Sequence, residues 1–246
     1  VDDRSAELEE WLKLADDLVG AADAVAAGAS ADRGSGPQLA VMALLAHSAG
    51  HLRAVALLVR LGLVVEARIL TRSLIENQFL IAAFEVDGEG TFHALMKDHH
   101  ASREKRGKLI VGKPEVYTRE QREQVEASMQ QQPKGKILNP MDTAKHSQAF
   151  AAYQFYAQLS ADSAHPSFDS LERHLSVDEH DALKEVSWKA RVKPDEPRDT
   201  TGWACMAFLG ILAISQKAVG AETASEAVQS VRDEYLRLIE CLSDGE

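Results

Sequence analysis

The sequence predicts an all-α fold: a single bundle-like domain of about seven helices, residues 1–246, around a central apolar helical hairpin from Gln38 to Phe84. Three observations point there. Apolar residues recur at helical rather than alternating spacing through most of the chain. Two long segments rich in Ala, Leu and Val meet at Gly62 with almost nothing between them, as in an antiparallel helical hairpin. The second of them, Gly62 to Phe84, is apolar on nearly every side yet carries Arg68, Arg72 and Glu76. At about 100° per residue these three positions share a narrow sector, bordered by Ile75 and Phe79 on one edge and by Ile69 and Leu80 on the other. A helix that is hydrophobic all round is normally a central one, so the charges face protein or a pocket and require partners there.

Each element follows in order. Leu8, Trp11, Leu12, Ala15, Leu18 and Val19 predict an amphipathic helix over residues 5–27, with Ser5 as its cap. Residues 28–37, GASADRGSGP, read as a flexible connection. The hairpin follows: one helix from Gln38 to Leu61, ended by Gly62, then the charged apolar helix, closed by Gly88–Gly90. A more polar helix spans Thr91 to Ile110, and an exposed one Glu115 to Gln132. Residues 133–140 read as a second flexible connection. Asp142 or Thr143 caps a helix over Ala144 to Ser163, which Pro166 closes by holding His165 extended. A short helix or turn covers Phe168 to His174, another turn Asp178 to Leu183, and EVSWKARVKP, 185–194, alternates weakly like a short ribbon. Asp199 or Thr200 caps a very apolar helix, Thr201 to Val219. Gly220 separates it from a last helix, Thr223 to Leu242, with a stripe of Val228, Val231, Tyr235, Leu238 and Ile239.

Composition narrows the classes of function. With 45% hydrophobic residues in 246, the chain can bury a sizeable core. Its 27 basic and 38 acidic residues leave a net charge of −11, which disfavours broad attraction to nucleic acid or anionic membrane. Cys205 and Cys241 lie in apolar helical surroundings without CxxC spacing, so both read as core thiols in a reducing compartment. The longest uninterrupted apolar run, Trp203 to Ile214, is too short to cross a bilayer, and the acidic start is unlike a signal peptide. The expected location is the cytoplasm.

Two polar stretches stand out. On the central helix, Arg72 can hold an anion or a substrate carbonyl while Glu76 orients it or acts as a base, with Arg68 a secondary candidate. The alternative is an internal ion pair, although Arg before Glu is the weaker order for helix stabilisation. Downstream, Tyr156 and Ser160 share a helix face, and His165 sits where an imidazole can be aimed across a groove. The competing reading packs Tyr156 and turns Ser160 and His165 to the backbone. His47 and His51 have the i,i+4 spacing of a zinc-binding helix, but Ser48 stands where the catalytic glutamate would be and no third ligand is evident, so no metal is expected. They are pocket-lining candidates if they face Arg72 and Glu76 across the hairpin. Adjacent His99 and His100 point apart on a helix. Arg173 to His180 fits the Arg-to-His spacing of helical ribonucleases, a pattern common enough by chance to carry almost no weight.

The combination EARILTRSLIE, Glu66 to Glu76, with YAQLSADSAHP, Tyr156 to Pro166, resembles an uncharacterised bacterial helical family, domain-of-unknown-function family 5677. The shared polar positions map onto Arg72, Glu76, Tyr156, Ser160 and His165. The resemblance implies an all-helical fold and a joint role for the two stretches, and no established activity comes with it; no cofactor is expected.

Three functional expectations follow. One is a binding or regulatory module whose pocket, lined by Arg72, Glu76, Tyr156, Ser160 and His165, takes a small anionic or polar ligand. Another is a metal-independent ribonuclease or hydrolase using His165 with Arg72 and Glu76. The last is a structural homodimer formed by the apolar helices.

Overall fold

The computed structural model describes residues 3–29, 35–131, 133–145, 148–164, 167–177 and 183–243. The fold is an all-α bundle, with ten α-helices among the described residues. α1 (Asp3–Gly28), α2 (Gly36–Arg60), α3 (Val64–Val86), α9 (Glu196–Ala218) and α10 (Ser225–Ser243) form its body. Trp11, Leu18, Leu52, Leu74, Phe79 and Phe208 are among the fully buried side chains of one shared core. α3 is the central element: it packs against α2, α9, α4 (Gly88–Val111), α6 (Pro140–Lys145) and α7 (Tyr153–Leu159). α5 (Arg119–Gln130) packs on α4.

Local signals explain the boundaries. α2 starts at Gly36 because Ser35 and Gln38 form a reciprocal capping box. Gly62 and Gly220, with φ of 73° and 66°, make the two turns that leave α2 and α9, a conformation that side-chain-bearing residues rarely adopt. Gly88–Gly90, read as the close of the hairpin, instead form the first turn of α4, because Asp87 caps the helix by accepting from the Gly90 amide at 2.9 Å. Residues 133–139 carry no regular secondary structure. Gly135 lies directly on the backbone of α4 at Lys97 and Ala101, and Asp98 accepts from the Leu138 amide at 2.8 Å.

The helix expected over Ala144 to Ser163 is broken into α6, a 3-10 turn Gln148–Ala152, α7 and a π-helical turn Ser160–Ala164. Two hydroxyls account for the widened turn. Ser160 donates to the Tyr156 carbonyl at 2.8 Å and Ser163 to the Leu159 carbonyl at 2.6 Å, competing with the backbone for its acceptors. After α8 (Phe168–Glu172), β1 (Leu175–Val177) pairs antiparallel with β2 (Leu183–Val186), Leu175 opposite Val186. The ribbon thus ends where the expected stretch begins, and most of the turn at 178–183 lies outside the described residues. α9 begins five residues before Thr201, since Pro197 occupies its first turn, where a missing N–H is harmless.

Two core assignments are corrected. Cys205 is buried, but Cys241 is exposed, and Ile239 is exposed as well. Both lie outside the stripe of Val228, Val231 and Leu238 that α10 presses into the core, and the edge contact of Tyr235 with Trp11, 5.8 Å between ring centres, joins that stripe to α1.

Candidate functional site

α3 delivers Arg68, Arg72 and Glu76 to two different neighbours. Toward α9, Arg68 is buried, donates from Nη1 to the Thr200 hydroxyl at 3.4 Å and lies over the Trp203 ring at 5.3 Å. One turn on, Arg72 faces α7 and the π-helical turn. Its Nε donates to Ser160 Oγ at 2.7 Å, its Nη2 to the Tyr156 hydroxyl at 2.8 Å, and its Nη1 to Glu76 Oε2 at 3.4 Å. Nη2 also lies 3.1 Å from Glu76 Oε1, and the guanidinium stands 4.7 Å from the centre of the Tyr156 ring. Tyr156 in turn donates to Glu76 Oε1 at 3.0 Å.

Four of the five sequence candidates, Arg72, Glu76, Tyr156 and Ser160, thus form one hydrogen-bonded cluster. His165, the fifth, lies outside the described residues. The cluster is half-open: the Arg72 and Glu76 side chains are 18% and 31% exposed. Burial, and then the charge of Glu76, push the Tyr156 phenol above its ordinary value, so at neutral pH it is a hydroxyl donor and not a base. Behind it, the Tyr156 ring meets the buried Phe79 edge-on at 5.9 Å and Tyr153 at 5.4 Å.

The secondary histidines do not join. Across the hairpin it is Ser48 that faces α3, accepting from Asn77 Nδ2 at 3.0 Å. His47 is exposed and His51 half-buried, their rings 4.2 Å apart. Burial, and then the neighbouring His47, hold His51 below the ordinary histidine value, and its buried Nδ1 has no hydrogen-bond partner among the described residues. Neither ring bonds to Arg72 or Glu76. Among the described residues no group of three or more His, Cys, Asp or Glu side chains is placed to hold a metal ion.

A more deeply buried ion pair escaped the sequence reading. Arg173, at the end of α8, grips Glu196 at the start of α9 through two parallel bonds of 2.8 and 2.9 Å, with side chains only 11% and 10% exposed. The Lys193 amide donates to the same carboxylate at 3.0 Å. This pair lines an open cleft of about 590 Å³ together with Gln158, Ala161, Asp169, Arg191 and Lys193. The Arg173–His180 spacing pointed to the right arginine for another reason. His180 lies outside the described residues, and the partner of Arg173 is a carboxylate 23 residues away. The signal available was Glu196 beside Pro197, a carboxylate fixed at a helix start.

No curated protein and no solved structure matches the chain. The model of the family of unknown function DUF5677 matches residues 38–182, from α2 through β1, a span that holds all four members of the cluster, and the chain belongs to that family.

Proposed function

We propose that the protein is a binding or regulatory module whose polar site is the junction of α3 with α7 and the π-helical turn. One observation carries this reading: Arg72 is fixed by Ser160, Tyr156 and Glu76 together, in a cluster that still opens to solvent. A guanidinium held on three sides is preorganised, and so is the carboxylate beside it; a ligand meeting such a site finds groups that need no reordering. The small polar ligand would bind at a neutral ion pair set in an aromatic wall. Thermal-shift screening of wild type against Arg72→Ala and Ser160→Ala tests the reading. A ligand that stabilises wild type and neither variant supports it; shifts that survive in both variants remove it.

The ribonuclease or hydrolase alternative rests on His165. That residue lies outside the described residues, whereas the binding reading rests on the cluster itself.

A second reading, self-association, is favoured by α2. By length and composition this helix is apolar enough to cross a membrane, yet only 39% of its apolar stretch is buried in the bundle. Leu57 and Leu61, with Leu63 and Ile69 across the turn, form an exposed aliphatic corner suited to a second copy of the chain. Sedimentation of wild type and of Leu57→Lys distinguishes a dimer through this corner from a monomer. The exposed Cys241 thiol accords with a reducing, cytoplasmic setting.

A further inference from the structure

The hydrogen-bonding capacity left over at the cluster narrows the ligand it would take. A guanidinium has five N–H donors and no acceptor. Arg72 directs Nε at Ser160, one hydrogen of Nη2 at Tyr156 and one of Nη1 at Glu76, so three of its five donors are taken within the cluster, and Nη2 also lies 3.1 Å from Glu76 Oε1 as an ion pair. Its charge is already matched by Glu76 and by the face of the Tyr156 ring. The two hydroxyl hydrogens also point inward, Tyr156 to Glu76 and Ser160 to the Tyr156 carbonyl.

Glu76 differs. A carboxylate offers roughly four lone-pair sites. Two accept hydrogen bonds, from Arg72 Nη1 and the Tyr156 hydroxyl, and at 31% Glu76 is the more exposed of the two charged side chains. What the cluster presents to solvent is therefore an acceptor. The adjoining wall suits the same partner, because Tyr153 stands 5.4 Å from Tyr156 and stacks with the half-exposed Phe150 at 6.0 Å. Aromatic faces attract cations. An anion accepting from the remaining Arg72 hydrogens would instead be brought beside the Glu76 carboxylate, like charge against like charge.

We infer that the ligand docks on Glu76 through a cationic hydrogen-bond donor, an organic amine or guanidinium compound, rather than as an anion on Arg72; this rests on the cluster being the binding site. The experiment is an NMR titration of the full chain at constant ionic strength, following the Arg72 Nε–H and the amides of α3 and α7. Methylammonium and methylguanidinium chloride are compared with inorganic phosphate and acetate. Saturable shifts with the two cations are expected, weakened at least tenfold in Glu76→Gln and retained in Lys217→Ala, whose ion pair with Glu85 at 2.9 Å involves no member of the cluster. The wild-type comparison needs no variant, so the test survives if Glu76→Gln fails to fold. Saturation by phosphate or acetate alone overturns this inference and leaves the site itself standing. Cation shifts unchanged in Glu76→Gln place the contact elsewhere and overturn it too. If no probe saturates, both the inference and the site fall.

Discussion

The Tyr156 hydroxyl donates to the Glu76 carboxylate at 3.0 Å, tying α7 to α3 across 80 residues of chain. It also accepts from Arg72 at 2.8 Å, so one oxygen serves both charges of the pair. Tyr156→Phe keeps the ring against Phe79 and Tyr153 but leaves a half-buried carboxylate and a guanidinium each one partner short. The expected cost is about 1–3 kcal/mol, read as a lower denaturation midpoint in urea at unchanged slope.

Arg72→Lys preserves the charge but not the fork. One ammonium on a flexible stem cannot meet Ser160, Tyr156 and both oxygens of Glu76 in their present positions. The lysine variant is expected to fall roughly 1–2 kcal/mol below wild type. In a double-mutant cycle with Ser160→Ala, the coupling seen with arginine should largely vanish when position 72 is lysine. Equal coupling in both backgrounds would show that charge, and not geometry, holds the cluster.

Glu196 links stability to acid. Burial pushes its carboxyl up, but bonds from Arg173 and the Lys193 amide, with the charges of Arg173 and Arg68, hold it below the ordinary value of 4.5. A depressed folded pKa contributes stability that is fully present above the unfolded value and is lost as pH falls through the folded one. Wild type should therefore lose stability as pH falls below about 4.5, and Glu196→Gln, already weaker at pH 7, should show a flatter acid limb. Parallel curves for the two proteins between pH 7 and 3 would count against this account.

Cysteine reactivity separates the two thiols. Cys205 is wholly buried, and burial, with a smaller contribution from Asp16, pushes its thiol far up, whereas Cys241 is exposed. Iodoacetamide at pH 7.5 should add one carbamidomethyl group to the native protein and a second only in denaturant, which intact-mass measurement resolves.

Long-period patterns carried the fold into the sequence. The apolar spacing of α1, α2, α3 and α9 and the turn at Gly62 were legible because burial and a required positive φ constrain residue type directly. Ser160 and Ser163 were not, since two serines on a helix are ordinary until their hydroxyls take backbone acceptors and widen the turn. Arg72 and Glu76 stood out as charges on an apolar helix. Arg173 and Glu196 did not, because each sits among other charges in segments without periodicity, and only the packing of α8 near the start of α9 brings them together. Cys241 was misread because an apolar neighbourhood in sequence says nothing of which side of α10 a residue occupies.

Apart from the Arg72–Glu76 pair itself, the charges of this seam find their partners at long range: Ser160 and Tyr156 lie 88 and 84 residues from Arg72, and Thr200 lies 132 from Arg68. The hairpin of α2 and α3, by contrast, closes over the short turn at Gly62. Loop-closure entropy favours the hairpin first, with Arg72 and Glu76 still hydrated, and the polar seam as a late event in folding. Substitutions along the seam should then quicken unfolding and leave the refolding rate almost untouched, making these side chains the latch of the native state rather than its nucleus.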